Sequence, residues 1–169
     1  MLLAIGERPI STVPKAVDEM YREHHVMVFR AAHRVTGNIA DAEDVLQTVF
    51  LRLVRRDPAA AGEIDNPESY LRRSAVNAAL DLVRARRDAS NVDLDRLPSH
   101  GSGADRLGDL REQLQLALAS LPARSAEMFA LRFLEGLTNP QIAKAMGLSQ
   151  MVVAVTLHRT RRKLQKLLR

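Results

Sequence analysis

Basic residues crowd the end of this chain: Arg159, Arg161, Arg162, Lys163, Lys166 and Arg169, with no acid among them. Such side chains neutralise a polyanion, and a formal net charge of +5 points the same way. Just before them, Thr138-Asn139-Pro140-Gln141 has the spacing of a capping box, in which hydroxyl and amide satisfy each other's orphan backbone donors at a helix start. The short helix it opens turns Ile142, Ala143 and Met146 inward and stops at Gly147, a residue free to take the positive φ of a tight turn. Leu148 plugs the corner and Ser149 caps the next helix. That second helix has Val153, Leu157, Arg161, Leu164 and Leu168 near its inner face, and Gln150, Met151, Ala154, Val155, His158 and Arg162 outward. A helix presented in this way fits the major groove of B-DNA, with its basic tail at the phosphates. An ordinary helical hairpin with a solvated basic end explains each feature singly; their coincidence favours DNA.

Other chemistry finds little support. Without cysteine there is no disulfide, thiolate metal site or thiol nucleophile. His24, His25, His33, His100 and His158 form no i, i+4 pair with a carboxylate at metal spacing, and neither a glycine-rich phosphate loop nor Gly-x-Ser-x-Gly is present. The expectation is a protein with no metal, no cofactor and no enzymatic activity. Met1-Leu2-Leu3-Ala4-Ile5 is interrupted by Gly6-Glu7-Arg8-Pro9 before it reaches the length of a signal core or membrane span, which predicts a cytoplasmic protein without membrane insertion.

The elements that position these residues read as helices throughout. Aromatic residues are 4 % of the chain, and no stretch shows the alternation of a strand. Val17, Met20, Tyr21, His24, Val28, Ala31 and Val35 recur along one helix face until Gly37-Asn38 ends it. From Asp41 to Arg56 a second stripe holds Ala42, Val45, Leu46, Val49, Phe50, Leu53 and Val54, with acids at its start and arginines at its end, as the helix dipole favours. Asn66-Pro67-Glu68 reads as an N-cap with proline in the first turn. In the helix it opens, Leu71, Ala75, Ala78 and Leu82 share one face, and Arg73, Asn77, Asp81 and Arg84 another. Periodicity then lapses into an acidic, Ser/Gly/Pro-rich stretch around Leu97-Pro98-Ser99-His100-Gly101. A helix with Leu110, Leu114, Leu118 and Leu121, and another with Ala126, Phe129 and Phe133, precede the helix-turn-helix. The expected architecture is all-α, with two small helical domains: an N-terminal extension over 1–14, a first domain over 15–88, a flexible linker over 89–108 and a second domain over 109–169.

Three segments, in this order and spacing, resemble the sigma-70 family of RNA polymerase sigma factors, in its small extracytoplasmic-function (ECF) group that keeps regions 2 and 4. They are Asp41-Ala42-Glu43-Asp44-Val45-Leu46-Gln47-Thr48-Val49-Phe50, Tyr70-Leu71-Arg72-Arg73-Ser74-Ala75-Val76-Asn77-Ala78-Ala79-Leu80-Asp81, and Phe129-Ala130-Leu131-Arg132-Phe133 running into Gly136-Leu137-Thr138 and Ile142-Ala143. The resemblance, from about Tyr21 to Leu168, implies a factor that binds core RNA polymerase and directs promoter recognition and transcription initiation. It implies polymerase binding by Asp41, Asp44, Gln47, Thr48 and Leu51. The acids early in that helix have a second explanation, since Asp41 and Glu43 also answer its dipole. The downstream promoter element falls to Asn66, Ser69, Tyr70, Arg73, Asn77, Arg84, Arg86 and Arg87, polar edges and a ring for a flipped base with arginines along the strand. Asn77 reads equally as an amide holding helices together, and Tyr70 as a core aromatic. The upstream element falls to Thr138, Gln150, Met151, Ala154, Val155, His158, Arg159 and Arg162. Members of the family are commonly held by an anti-sigma factor and some are controlled otherwise, and the resemblance leaves both open here while implying no stable homo-oligomer.

One segment departs from the pattern. Where many family members carry Gly-Thr-Val-Lys-Ser-Arg at the start of the recognition helix, this chain has Met151-Val152-Val153-Ala154-Val155-Thr156. Neither Ala154 nor Thr156 can make the bidentate contact to guanine that lysine or arginine makes. Gln150, His158 and Arg159 keep hydrogen-bonding capacity, Val155 can touch a thymine methyl, and Arg159, Arg161 and Arg162 are expected to compensate at the backbone. Two other readings of the same residues stand beside the sigma factor: a helix-turn-helix regulator that binds its operator as a dimer, and a sigma-like adaptor that does not initiate transcription.

Overall fold

The computed structural model describes residues 14–90 and 106–168. The N-terminal extension and most of the acidic linker expected from the sequence lie outside them. Among the described residues the secondary structure is entirely helical: α1 (Lys15–Thr36), α2 (Ile39–Arg55), α3 (Pro58–Ala61), α4 (Pro67–Ser90), α5 (Arg106–Ala119), α6 (Ala123–Phe133), α7 (Asn139–Met146) and α8 (Gln150–Leu167). None of them is long and apolar enough to cross a membrane.

The first unit is α1, α2 and α4 packed on one another. The turn between α1 and α2 is tight because Gly37 adopts φ 67° and returns its N–H to the His33 carbonyl, while the Asn38 side chain accepts from Asp41 N at 3.1 Å. Small residues let the helices approach closely, for Ala31, Ala32, Ala42, Ala75 and Ala79 are fully enclosed between Val28, Val45, Leu71 and Val76. The α4 stripe is wider than the periodicity predicts: Val76, Ala79, Leu80 and Val83 are buried beside Leu71, Ala75 and Ala78. The reason is that α4 has neighbours on two sides, α1 and α2 on one and α5 and α6 on the other.

The second unit closes α6, α7 and α8 around Leu118, Met128, Leu131, Ile142, Val153, Leu157 and Leu164. Pro122 stands immediately before α6, and α5 ends three residues earlier at Ala119. In α8 the inner face is Val153, Leu157, Thr160 and Leu164, and Arg161, read from the sequence as near that face, is exposed. The observed steps of four, three and four follow the 3.6-residue period and turn Arg161 outward. Phe133 and Leu110 are likewise exposed rather than enclosed.

The two units are in contact. Buried apolar residues of both belong to one continuous cluster, with α4 packed against α5 and α6.

Candidate nucleic-acid and partner interfaces

On α2 the outward positions are Asp44, Gln47 and Leu51, spaced so that they follow one another up one side, with Thr48 half-buried beside them. Leu51 is 52 % exposed although its neighbours Val49, Phe50 and Leu53 are core, so this strip offers an apolar centre with a carboxylate and an amide alongside. Asp41 does not belong to it. That residue is 3 % exposed, and both its carboxylate oxygens are taken by the Arg86 guanidinium reaching across from α4. Asp41, which the resemblance assigned to the polymerase, is thus enclosed between α2 and α4 in this conformation. Arg86, read as a strand contact, holds α4 to the start of α2.

The segment from Arg56 to Tyr70 is shaped by a residue that the sequence reading took only as one of the arginines ending α2. Arg56 donates through Nη2 to the carbonyls of Ala61 and Gly62, at 2.8 and 2.6 Å, and its guanidinium carbon lies 5.8 Å from the centre of the Tyr70 ring. Asn66 caps α4 by accepting from Ser69 N at 2.9 Å. Asn66, Ser69 and Tyr70 therefore share one wall of an open cleft of about 770 Å³, whose other wall is Gly136, Leu137, Gln141 and Lys144 from around α7. Tyr70 is 37 % exposed, so it is a rim aromatic and not a core one.

The arginines assigned to the same element have other partners in this conformation. Arg73 donates from Nε to Glu127 Oε1 and from Nη1 to the Ala145 carbonyl, both at 2.7 Å. Arg87 donates to the Ala119 carbonyl at 2.9 Å and pairs with Asp88. Arg84 pairs with Asp81 at 3.4 Å and lines a smaller recess with Asn77 and Glu127. Thus Arg73, Arg86 and Arg87 join helices here, where the sequence reading put them on a strand of DNA. Asn77 is half-buried at that junction.

Other residues at the junction were invisible to sequence reasoning. The Glu135 carboxylate, with no exposed side-chain surface, accepts from Arg34 at 2.9 Å and from Arg72 at 2.7 Å. Gln115 donates to the carbonyls of Val35 and Thr36 at the end of α1, at 3.0 and 2.5 Å. The Arg111 side chain lies over Gly37, where a Cβ would overlap it. These partners are far apart in sequence, and no local pattern couples them.

The helix-turn-helix has the local geometry its residues predict. Thr138 Oγ1 accepts from Gln141 N at 3.4 Å and Gln141 Oε1 accepts from Thr138 N at 2.8 Å. Gly147 turns at φ 63°, and Ser149 accepts from Val152 N at 3.3 Å. Capping already engages the Thr138 hydroxyl and amide, which makes Thr138 a residue that orients α7. Outward on α8 stand Gln150, Met151, Ala154, Val155, His158, Arg159 and Arg162, all exposed. Arg161, Lys163 and Lys166 extend the basic half, and the chain contains no acid after Glu135. Among the described residues no group of His, Asp and Glu could hold a metal ion.

Residues 20–89 match the family model for sigma-70 region 2, and residues 111–164 match that for sigma-70 region 4. The chain is 33 % identical over 155 residues to the ECF RNA polymerase sigma factor SigE of Mycolicibacterium smegmatis, an alignment that covers 88 % of this chain and 60 % of that protein. It is 30 % identical over 145 residues to the ECF RNA polymerase sigma factor SigL of Mycobacterium tuberculosis, covering 82 % of this chain and 81 % of SigL. Among solved structures, CnrH in complex with the cytosolic domain of CnrY superposes with a TM-score of 0.53 at 25 % identity, covering 91 % of this chain and 88 % of CnrH. With region 2 over the first unit and region 4 over the second, this chain belongs to the sigma-70 family, in its ECF group.

Proposed function

We propose that the protein is a sigma factor: it binds core RNA polymerase, carries it to promoters and starts transcription there. The observation that supports this most is the presence in one chain of three separate surfaces, the outward strip of α2, the head of α4 with its preceding loop, and the exposed face of α8. A regulator that only bound an operator would use the last alone. Asp44, Gln47, Thr48 and Leu51 meet the polymerase. Asn66, Ser69 and Tyr70 receive the downstream element, and the α8 face reads the upstream one while its basic half neutralises phosphates. Arg73, Arg84, Arg86 and Arg87 reach the strand only after leaving their present partners, and Asn77 reaches it from a half-buried position. The unit boundaries proposed are 15–88 and 109–169, with the protein acting in the cytoplasm, where its template is.

A protein inhibitor fits the same reading, since CnrH, to which the chain is similar, was solved with the cytosolic domain of another protein bound. The test is run-off transcription. Full-length protein with core polymerase is expected to yield discrete promoter-dependent transcripts that core alone does not; their absence across templates and salt concentrations overturns the reading. In light scattering the free protein is expected to remain a monomer, whereas a stable dimer points to an operator-binding regulator.

A further inference from the structure

The outward face of α8 is divided along its length. Its front is apolar: Met151 is 76 % exposed and Val155 44 %, one turn apart on the side opposite the buried Val153, Leu157, Thr160 and Leu164. Val152 on one flank and Ala154 on the other are exposed as well, and the first arginine of the helix is Arg159. All of its cations lie in the back half. In a helix-turn-helix the first turns of the recognition helix meet base edges, while residues farther along reach the backbone. Guanine is recognised there chiefly by arginine or lysine, and this front has neither. What an apolar side chain can recognise in the major groove is the C5-methyl of thymine, and Gln150, exposed at the first position, can pair with N6 and N7 of adenine.

We propose that α8 reads an A·T-containing upstream element through thymine methyl groups, with Met151 and Val155 as the specificity-determining contacts and Gln150 on a neighbouring adenine. The proposal rests on the sigma-factor reading and adds the chemistry of the sequence read. A protein partner is the other class that takes an exposed apolar patch. DNA is favoured because the patch continues directly into an acid-free basic helix end, and because the capped α7, the Gly147 turn and the enclosed Val153 hold it as a groove-entering helix.

The experiment begins by selecting random upstream sequence, joined to a fixed downstream segment, with holoenzyme made from the full chain and core RNA polymerase. The enriched element is expected to contain thymines that cannot be exchanged. Each is then replaced by deoxyuridine, which removes only the methyl. Binding is expected to fall about fourfold at a contacted position, the factor equivalent to one buried methylene at about 0.8 kcal/mol. Val155→Ala or Met151→Ala is expected to show the same loss on thymine and no further loss on uracil, a coupling that general weakening does not produce. Both residues are exposed, so neither change removes core packing. Equal binding to thymine and uracil templates, or an enriched element without thymine, overturns the proposal while promoter-dependent transcripts leave the sigma reading standing. Variants that keep the thymine-to-uracil ratio but lose a protein partner also overturn it. Absence of any promoter-dependent transcript sinks both.

Discussion

Asp41 and Asp44 occupy neighbouring turns of α2, and their environments differ because of what lies above them. The end of α4 covers Asp41 and brings Arg86 to its carboxylate, while Asp44 is exposed among the described residues. Asp41→Ala leaves Arg86 without this acceptor and removes a charge-assisted bond on a buried oxygen. It is expected to destabilise the protein by about 2 kcal/mol in urea unfolding. Asp44→Ala is expected to shift stability by less than about 0.5 kcal/mol, as exposed substitutions do, and to weaken core polymerase binding in a gel-shift or fluorescence titration. At α8 the division of labour gives a second pair of outcomes. Arg162→Ala is expected to lower affinity evenly across upstream sequences and to reduce the slope of log affinity against log salt by about 1. An unchanged slope removes Arg162 from the phosphate contacts.

The elements stand on caps as much as on apolar stripes. α7 has eight residues, too few to be stable by propensity, so its ends carry weight: a capping box at Thr138 and a left-handed turn at Gly147. Thr138→Ala is expected to cost about 1 kcal/mol of stability. Gly147→Ala is expected to cost about 1–2 kcal/mol, although among the described residues the added Cβ would meet open space beyond its chain neighbours, because the strain is in the backbone. Thermal unfolding of each variant checks both. If Gly147→Ala leaves the midpoint unchanged, the turn relaxes more easily than its φ implies. The loop after α2 depends instead on a side chain, Arg56, which bonds two carbonyls and lies against Tyr70.

At the scale of the whole molecule, two acids of the second unit meet arginines of the first. Glu127 holds Arg73, and Glu135 sits between Arg34 and Arg72 with its side chain fully enclosed. This arrangement places the head of α4, a proposed DNA-reading element, across one cleft from α7, the helix that precedes the α8 reading face. Removing the carboxylates in Glu127→Gln/Glu135→Gln is expected to leave helix content unchanged by circular dichroism and to raise the radius of gyration in small-angle scattering. An unchanged radius assigns the docking to the contacts that remain, the apolar ones of α4 with α5 and α6 and the bonds from Arg73, Arg87 and Gln115 to carbonyls across the junction.

The fold class, the helix-turn-helix and the family were legible in the residues themselves. Each rests on signals within one or two helical turns: caps, turn glycines, and apolar positions at a 3.6 period, which local sterics and hydrogen bonding impose whatever the rest of the chain does. The outward strip of α2 and the apolar front of α8 belong with them, since both lie opposite the apolar stripes of their helices. The tertiary structure alone decided which charges are available. Asp41, Arg73, Arg86 and Arg87 look like surface residues in sequence, and their partners Arg86, Glu127, Asp41 and Ala119 come from other helices. A charge is enclosed or free according to what packs over it, and for α4, which has neighbours on two sides, that is set by helices distant in the chain.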